Sequence, residues 1–159
     1  MRTKEELQVL AAEIKDELSK LESLAGKLSS QKGRTSDEEI AESAALRLHN
    51  FYTGCERIFK LIAAEINGGT PQDLEWHKRL LNQVSIEIDG VRPAVISPQN
   101  RRELEKLLRF RHLVRNIYGF ELESNRIEEL LVLAVNLFPF FKKDVEAFTE
   151  FLVQVYKNV

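Results

Sequence analysis

Apolar residues recur at intervals of three and four along most of this chain, the spacing that lays one continuous stripe along an α-helix. The first such run, ELQVLAAEIKDELSKLESLAGKL, continues to about Leu28, and Thr3 followed by Glu6 has the spacing of a capping box that would open it. SSQKGRT then reads as a connection. Ser36 with Glu39 repeats the capping-box spacing and predicts a long helix through AESAALRLHNFYTGCERIFKLIAAEI, ended by the NGG of 67–69. Gly54 inside that run is expected to allow a close helix crossing. Thr70, Pro71 and Asp73 signal a third helix, PQDLEWHKRLLNQVSIEI, stopping around Gly90. GVRPAVIS reads as a loop, because the residue before Pro93 is biased away from helix. Ser97 and Pro98 pair as N-cap and first-turn residue of a fourth helix that ends near Gly119. Ser124, with Glu128 nearby, starts a final helix to the C-terminus, with a kink or break expected at Pro139. The pattern predicts an all-α fold: an antiparallel bundle of four to six helices, with no strand and a kinked C-terminal helix, forming one domain over residues 1–159.

Composition narrows the function. With 159 residues and 43% of them apolar, the chain is long enough to bury a core without covalent staples. The single cysteine, Cys55, excludes an intrachain disulfide framework, and its apolar helical setting predicts a buried, inert thiol. Met1 leads into a charged amphipathic stretch, not a secretory signal, so a cytoplasmic protein is expected. The longest apolar run, LLVLAVNLFPFF, is interrupted by Asn136 and Pro139 and is too short to span a bilayer, so no membrane partner is expected. A formal net charge of −2 gives no reason for non-specific coating of nucleic acid; anion binding has to come from a local patch. The three histidines are scattered without metal-ligand spacing, so neither a metal nor another cofactor is expected.

One segment supplies such a patch. RFRHLVRNIYG, Arg109 to Gly119, sets three arginines, a histidine, an asparagine and a tyrosine among apolar residues, with no acid between Leu107 and Gly119. Projected at about 100° per residue, Leu107, Phe110, Leu113, Val114 and Ile117 form the core face. Arg111, Arg115 and Tyr118 fall on one stripe beside it, and Arg109, His112 and Asn116 on a neighbouring one, both expected to escape the core. Arginines one turn apart form a fork suited to phosphate, and His112 adds a titratable group beside it. Such parts suit holding and cleaving a phosphodiester. The competing reading pairs the arginines with acids from neighbouring helices. Among other residues, His49 has none of the surroundings of a phosphotransfer histidine, and His77 is expected to make a structural contact with Trp76, although family resemblance leaves a role near a cleft open.

RFRHLVRNIYGFEL resembles the signature of HEPN-domain proteins, in particular the HepT-like toxins encoded beside minimal nucleotidyltransferases. AALRLHNFYTGCERIFKLIA, DLEWHKRLLNQV and RPAVIS agree with it, so that the likeness covers about Glu39 to Leu133. The resemblance implies a helical bundle that dimerises with both signature helices lining one cleft, and a metal-independent ribonuclease acting on RNA. The family motif runs Arg, four residues, His, one residue, Tyr. Arg111 matches its arginine and Tyr118 its tyrosine, whereas Asn116 stands in the place of the histidine. An amide cannot titrate, so Asn116 only holds or orients. Three explanations stay open: His112 supplies the proton chemistry, the chain is a weakened natural member, or Asn116 is an engineered substitution. The resemblance also implies that a cognate nucleotidyltransferase antitoxin modifies Tyr118 with AMP; Arg109 and Arg115, outside the motif, are expected from their charge and position to contact RNA phosphates. The alternative is a non-catalytic interaction module that keeps the dimer and the partner surface.

Overall fold

A computed structural model of the chain describes residues 3–66, 69, 71, 74–116 and 123–158, the side chains of 112–116 excepted. Five helices account for most of them: α1 (Lys4–Gln31), α2 (Glu38–Glu65), α3 (Trp76–Val84), α4 (Pro98–Asn116) and α5 (Ser124–Lys157). Among the described residues the only extended pairing is an isolated antiparallel bridge between Ile88 and Arg92. The fold is an all-α bundle.

α2 is the central element and touches the other four, with α1 packed on α2 and α5 along one side and α3 and α4 on the other. Its inward stripe joins that of α5 through edge-to-face aromatic pairs, Phe51 with Phe138 at 6.2 Å between ring centroids and Phe59 with Phe141 at 6.0 Å. Gly54 does mark a close crossing. A Cβ there would stand 2.6 Å from Cδ2 of Leu21, so a larger residue would have to displace the Leu21 side chain.

The caps define the helix starts. Thr3 and Glu6 form the reciprocal box, with Thr3 Oγ1 accepting from the Glu6 amide at 3.1 Å and Glu6 Oε2 from the Thr3 amide at 2.9 Å. At α2 the cap is Asp37 rather than Ser36: its Oδ1 accepts from the amides of Glu39 and Ile40 at 3.0 and 3.2 Å. A carboxylate satisfies two orphan donors and complements the positive end of the helix dipole, so the start moves one residue on. Ser97 caps α4 as expected, accepting from the Asn100 amide at 3.1 Å, while Asp144 of α5 accepts from the Ser97 amide and the Asn100 side chain. Glu128 belongs to a different place than its neighbour Ser124 suggests. It accepts from the Gly33 amide at 2.9 Å and from the Thr35 hydroxyl at 2.7 Å, tying the α1–α2 connection to α5.

One helix departs from expectation in extent. α3 ends at Val84, not near Gly90, because the following carbonyls have another use. Arg92, 3% exposed, donates to the carbonyls of Gln83, Ile86 and Pro93 at 2.8, 2.9 and 3.0 Å and draws Ser85–Arg92 into a turn around Gly90, whose φ is +74°. α5 is not divided by Pro139, which sits inside a continuous helix; the missing proline N–H removes one rung from a ladder that flanking turns and core packing hold.

Candidate active site

Glu56, His77 and Arg111 reach one buried point from three helices. Glu56 lies one turn after Tyr52 on the inward face of α2, and both are buried. His77 opens the inward face of α3, ahead of Leu80, Leu81 and Val84. Arg111 lies four residues after Leu107 and seven after Leu104, so it shares their helical stripe and is carried inside, only 8% exposed. The expectation that Arg111 escapes the core therefore fails. The stripe that buries it was present in the sequence, hidden by treating every arginine as outward.

The contacts form a chain of three groups. Glu56 Oε2 stands 2.7 Å from His77 Nδ1, and His77 Nε2 stands 3.4 Å from Arg111 Nη1. A guanidinium only donates, so Nε2 accepts, and Nδ1 carries the proton donated to the Glu56 carboxylate. The imidazole thereby sits in one orientation between a buried carboxylate and a buried guanidinium. Either charge alone would be costly in this setting; together they compensate across one imidazole ring. Arg111 Nε has no hydrogen-bond partner among the described residues.

Neighbours report the field of this network. Burial, and then the charge of Glu56, push the Tyr52 hydroxyl well above the usual tyrosine range, against a smaller opposing pull from Arg111. The Cys55 thiol is pushed up by the same two causes in the same order and is wholly buried, in keeping with an inert cysteine. On the outer side, the Trp76 ring lies against His77 with centroids 3.5 Å apart, as the sequence suggested, and Lys60 Nζ stands 4.2 Å from the centroid of a Trp76 ring. A cleft of about 270 Å³ opens between α3 and α4, with His77, Lys78, Glu105, Leu108 and Arg109 among its walls.

The remaining motif residues divide by position. Arg109 is exposed and pairs with Glu105 at 3.3 Å, one turn earlier on α4. Arg115 and Asn116 occupy the last residues of α4, with His112 one turn before Asn116; the side chains of all three, and Tyr118 altogether, lie outside the described residues. Among the described residues no three His, Cys, Asp or Glu side chains gather in a way that could hold a metal ion, and no helix is long and apolar enough to cross a membrane.

The model of a family described as HepT-like protein matches residues 43–152, more than two thirds of the chain. The chain belongs to the HepT-like family. No curated protein and no solved structure matches it. The matched span of this HepT-like chain begins inside α2 and runs almost to the end of α5, so it contains Glu56, His77 and the whole Arg111 to Tyr118 segment while leaving out α1. Sequence reasoning missed Glu56 and favoured a contact with Trp76 for His77, with a role near the cleft left open by the resemblance. The available signal was a charged residue on an apolar stripe, Glu56 four positions after Tyr52, facing a histidine on another.

Proposed function

We propose that this HepT-like chain is a metal-independent endoribonuclease of the toxin type, acting in the cytoplasm as a homodimer and neutralised by a cognate minimal nucleotidyltransferase. The observation that carries the reading is the family match, whose span encloses Arg111-x4-Asn116-x-Tyr118. Attack of a ribose 2'-hydroxyl on the adjacent phosphorus, with departure of the 5'-oxygen, builds negative charge on the phosphoryl oxygens. A preorganised guanidinium at Arg111 stabilises that charge in the transition state. Arg109 and Arg115 hold neighbouring phosphates, Asn116 orients the reacting group, and His112 supplies a titratable group one turn away. Transfer of AMP to the Tyr118 hydroxyl, with loss of pyrophosphate from ATP, adds a negative phosphate to the motif segment that competes with RNA.

The test is cleavage of end-labelled RNA in EDTA by the chain and by its Asn116→His variant. Cleavage by either, lost on AMP transfer by the partner, supports the reading. If neither cuts RNA while the chain still binds the nucleotidyltransferase, a non-catalytic interaction module takes its place. The asparagine in the motif's histidine position favours that second reading.

A further inference from the structure

The ribonuclease motif as carried over from the family begins on α4 at Arg111, yet in this structure that arginine meets His77 of α3, which is itself held by Glu56 of α2. We infer that Glu56 and His77 are positioning residues for Arg111, a buried carboxylate–imidazole relay that fixes the guanidinium in one orientation; the inference rests on the ribonuclease reading for what that orientation serves.

Arginine carries several rotatable bonds, and an unrestrained guanidinium spreads its charge over many positions. Electrostatic stabilisation of a transition state requires the donor to be in place beforehand, because reorganising it during reaction consumes the gain. Here the restraint is visible at each joint. Glu56 is 2% exposed and accepts from Nδ1 at 2.7 Å, which fixes the ring plane and leaves Nε2 as the acceptor. Nε2 faces Arg111 Nη1 at 3.4 Å, and the Trp76 ring backs the imidazole. Only one amino group of Arg111 is engaged by the histidine, and Nε is unpartnered among the described residues, so the relay holds the side chain without exhausting its donors. This arrangement assigns His77 a positioning role and not proton transfer, since Nε2 faces a permanently charged guanidinium.

Two measurements keep this claim separable from the ribonuclease reading. The first needs no activity: nitrogen-15 NMR of the arginine side chains in the intact protein, with the Arg111 signals assigned through Arg111→Lys. In His77→Phe and in Glu56→Gln the Arg111 Nε and Nη signals should move and rotation of the guanidinium should quicken, whereas His77→Gln, whose amide keeps one donor and one acceptor, should resemble the parent. Unchanged Arg111 signals in a folded His77→Phe protein would overturn the inference, whether or not the chain cuts RNA. The second is single-turnover RNA cleavage in whichever background, the chain as it is or Asn116→His, is active. His77→Phe should lower the rate at saturating RNA by up to about a hundredfold, the scale of a misplaced catalytic group, with little change in RNA affinity. His77→Gln should stay within a few fold of its parent. A His77→Gln protein as inactive as His77→Phe would mean that the imidazole acts by titrating, and would overturn the positioning role. Where no background cuts RNA, the ribonuclease reading falls and the NMR result alone decides the relay.

Discussion

His77 Nδ1 lies 2.7 Å from Glu56 Oε2 at a point where the two side chains are 7% and 2% exposed. Removing one member of a buried, charge-compensated network leaves the other charge unpaired, a cost of about 3–5 kcal/mol. Glu56→Ala is therefore expected to be destabilised on that scale in urea unfolding. Replacing the whole network by apolar residues, Glu56→Leu with His77→Phe and Arg111→Met, should recover a large part of the loss, because no charge is then left stranded. A triple variant as unstable as Glu56→Ala would argue against the charge account.

The α1–α2 crossing predicts a coupling between Gly54 and Leu21. A methyl at position 54 meets Leu21 Cδ2 at 2.6 Å, so Gly54→Ala should destabilise by about 1–3 kcal/mol despite alanine's better helix propensity. In a Leu21→Ala background the added methyl has space, and the same substitution should become neutral or stabilising. The double-mutant cycle on thermal unfolding reads the difference.

The clasp on Glu128 predicts a pH dependence. Hydrogen bonds from the Thr35 hydroxyl and then the Gly33 amide hold its carboxyl below the usual carboxylate value. A carboxyl lowered by folding adds stability that is complete above its unfolded value and disappears as pH falls through its folded value. Glu128→Gln should therefore be less stable than the parent at neutral pH, by about 1 kcal/mol. The gap should close in acid below pH 4.5. Chemical denaturation at several pH values measures it; a gap that is constant from neutral pH to strongly acid pH would contradict the clasp.

Cys55, wholly buried and with its thiol pushed up by burial and by Glu56, should not react with a thiol-exchange reagent in the native protein and should react promptly in urea. Fast native reaction would place Cys55 on the surface and contradict the packing of α2.

Periodicity carried the bundle, the Thr3 box, the Ser97 cap and the Gly54 crossing, since each rests on local geometry or on a single missing Cβ. The α3 end was not legible, because it depends on where a buried Arg92 finds its carbonyl partners, and that is a property of the folded loop. The same limit applied to Arg111. The motif named it, but an arginine on the stripe of Leu104 and Leu107 was assigned to solvent because its compensating partners, Glu56 and His77, lie 55 and 34 positions earlier in the chain. Asp37 displaced Ser36 as a cap because a carboxylate satisfies two amides at once, a competition between adjacent residues that spacing alone does not decide.

The central claim is that Arg111 stabilises charge in RNA cleavage, and single-turnover cleavage across a range of salt concentrations tests it most directly. The parents are the chain as it stands and its Asn116→His variant, each compared with Arg111→Ala, Arg109→Ala and Arg115→Ala. In a background that cleaves, Arg111→Ala should lose on the order of a hundredfold or more, the cost of deleting one preorganised donor. Arg109→Ala and Arg115→Ala should mainly weaken RNA binding and flatten its salt dependence, as phosphate contacts do. Equal cleavage by a folded Arg111→Ala protein and its parent would contradict the account.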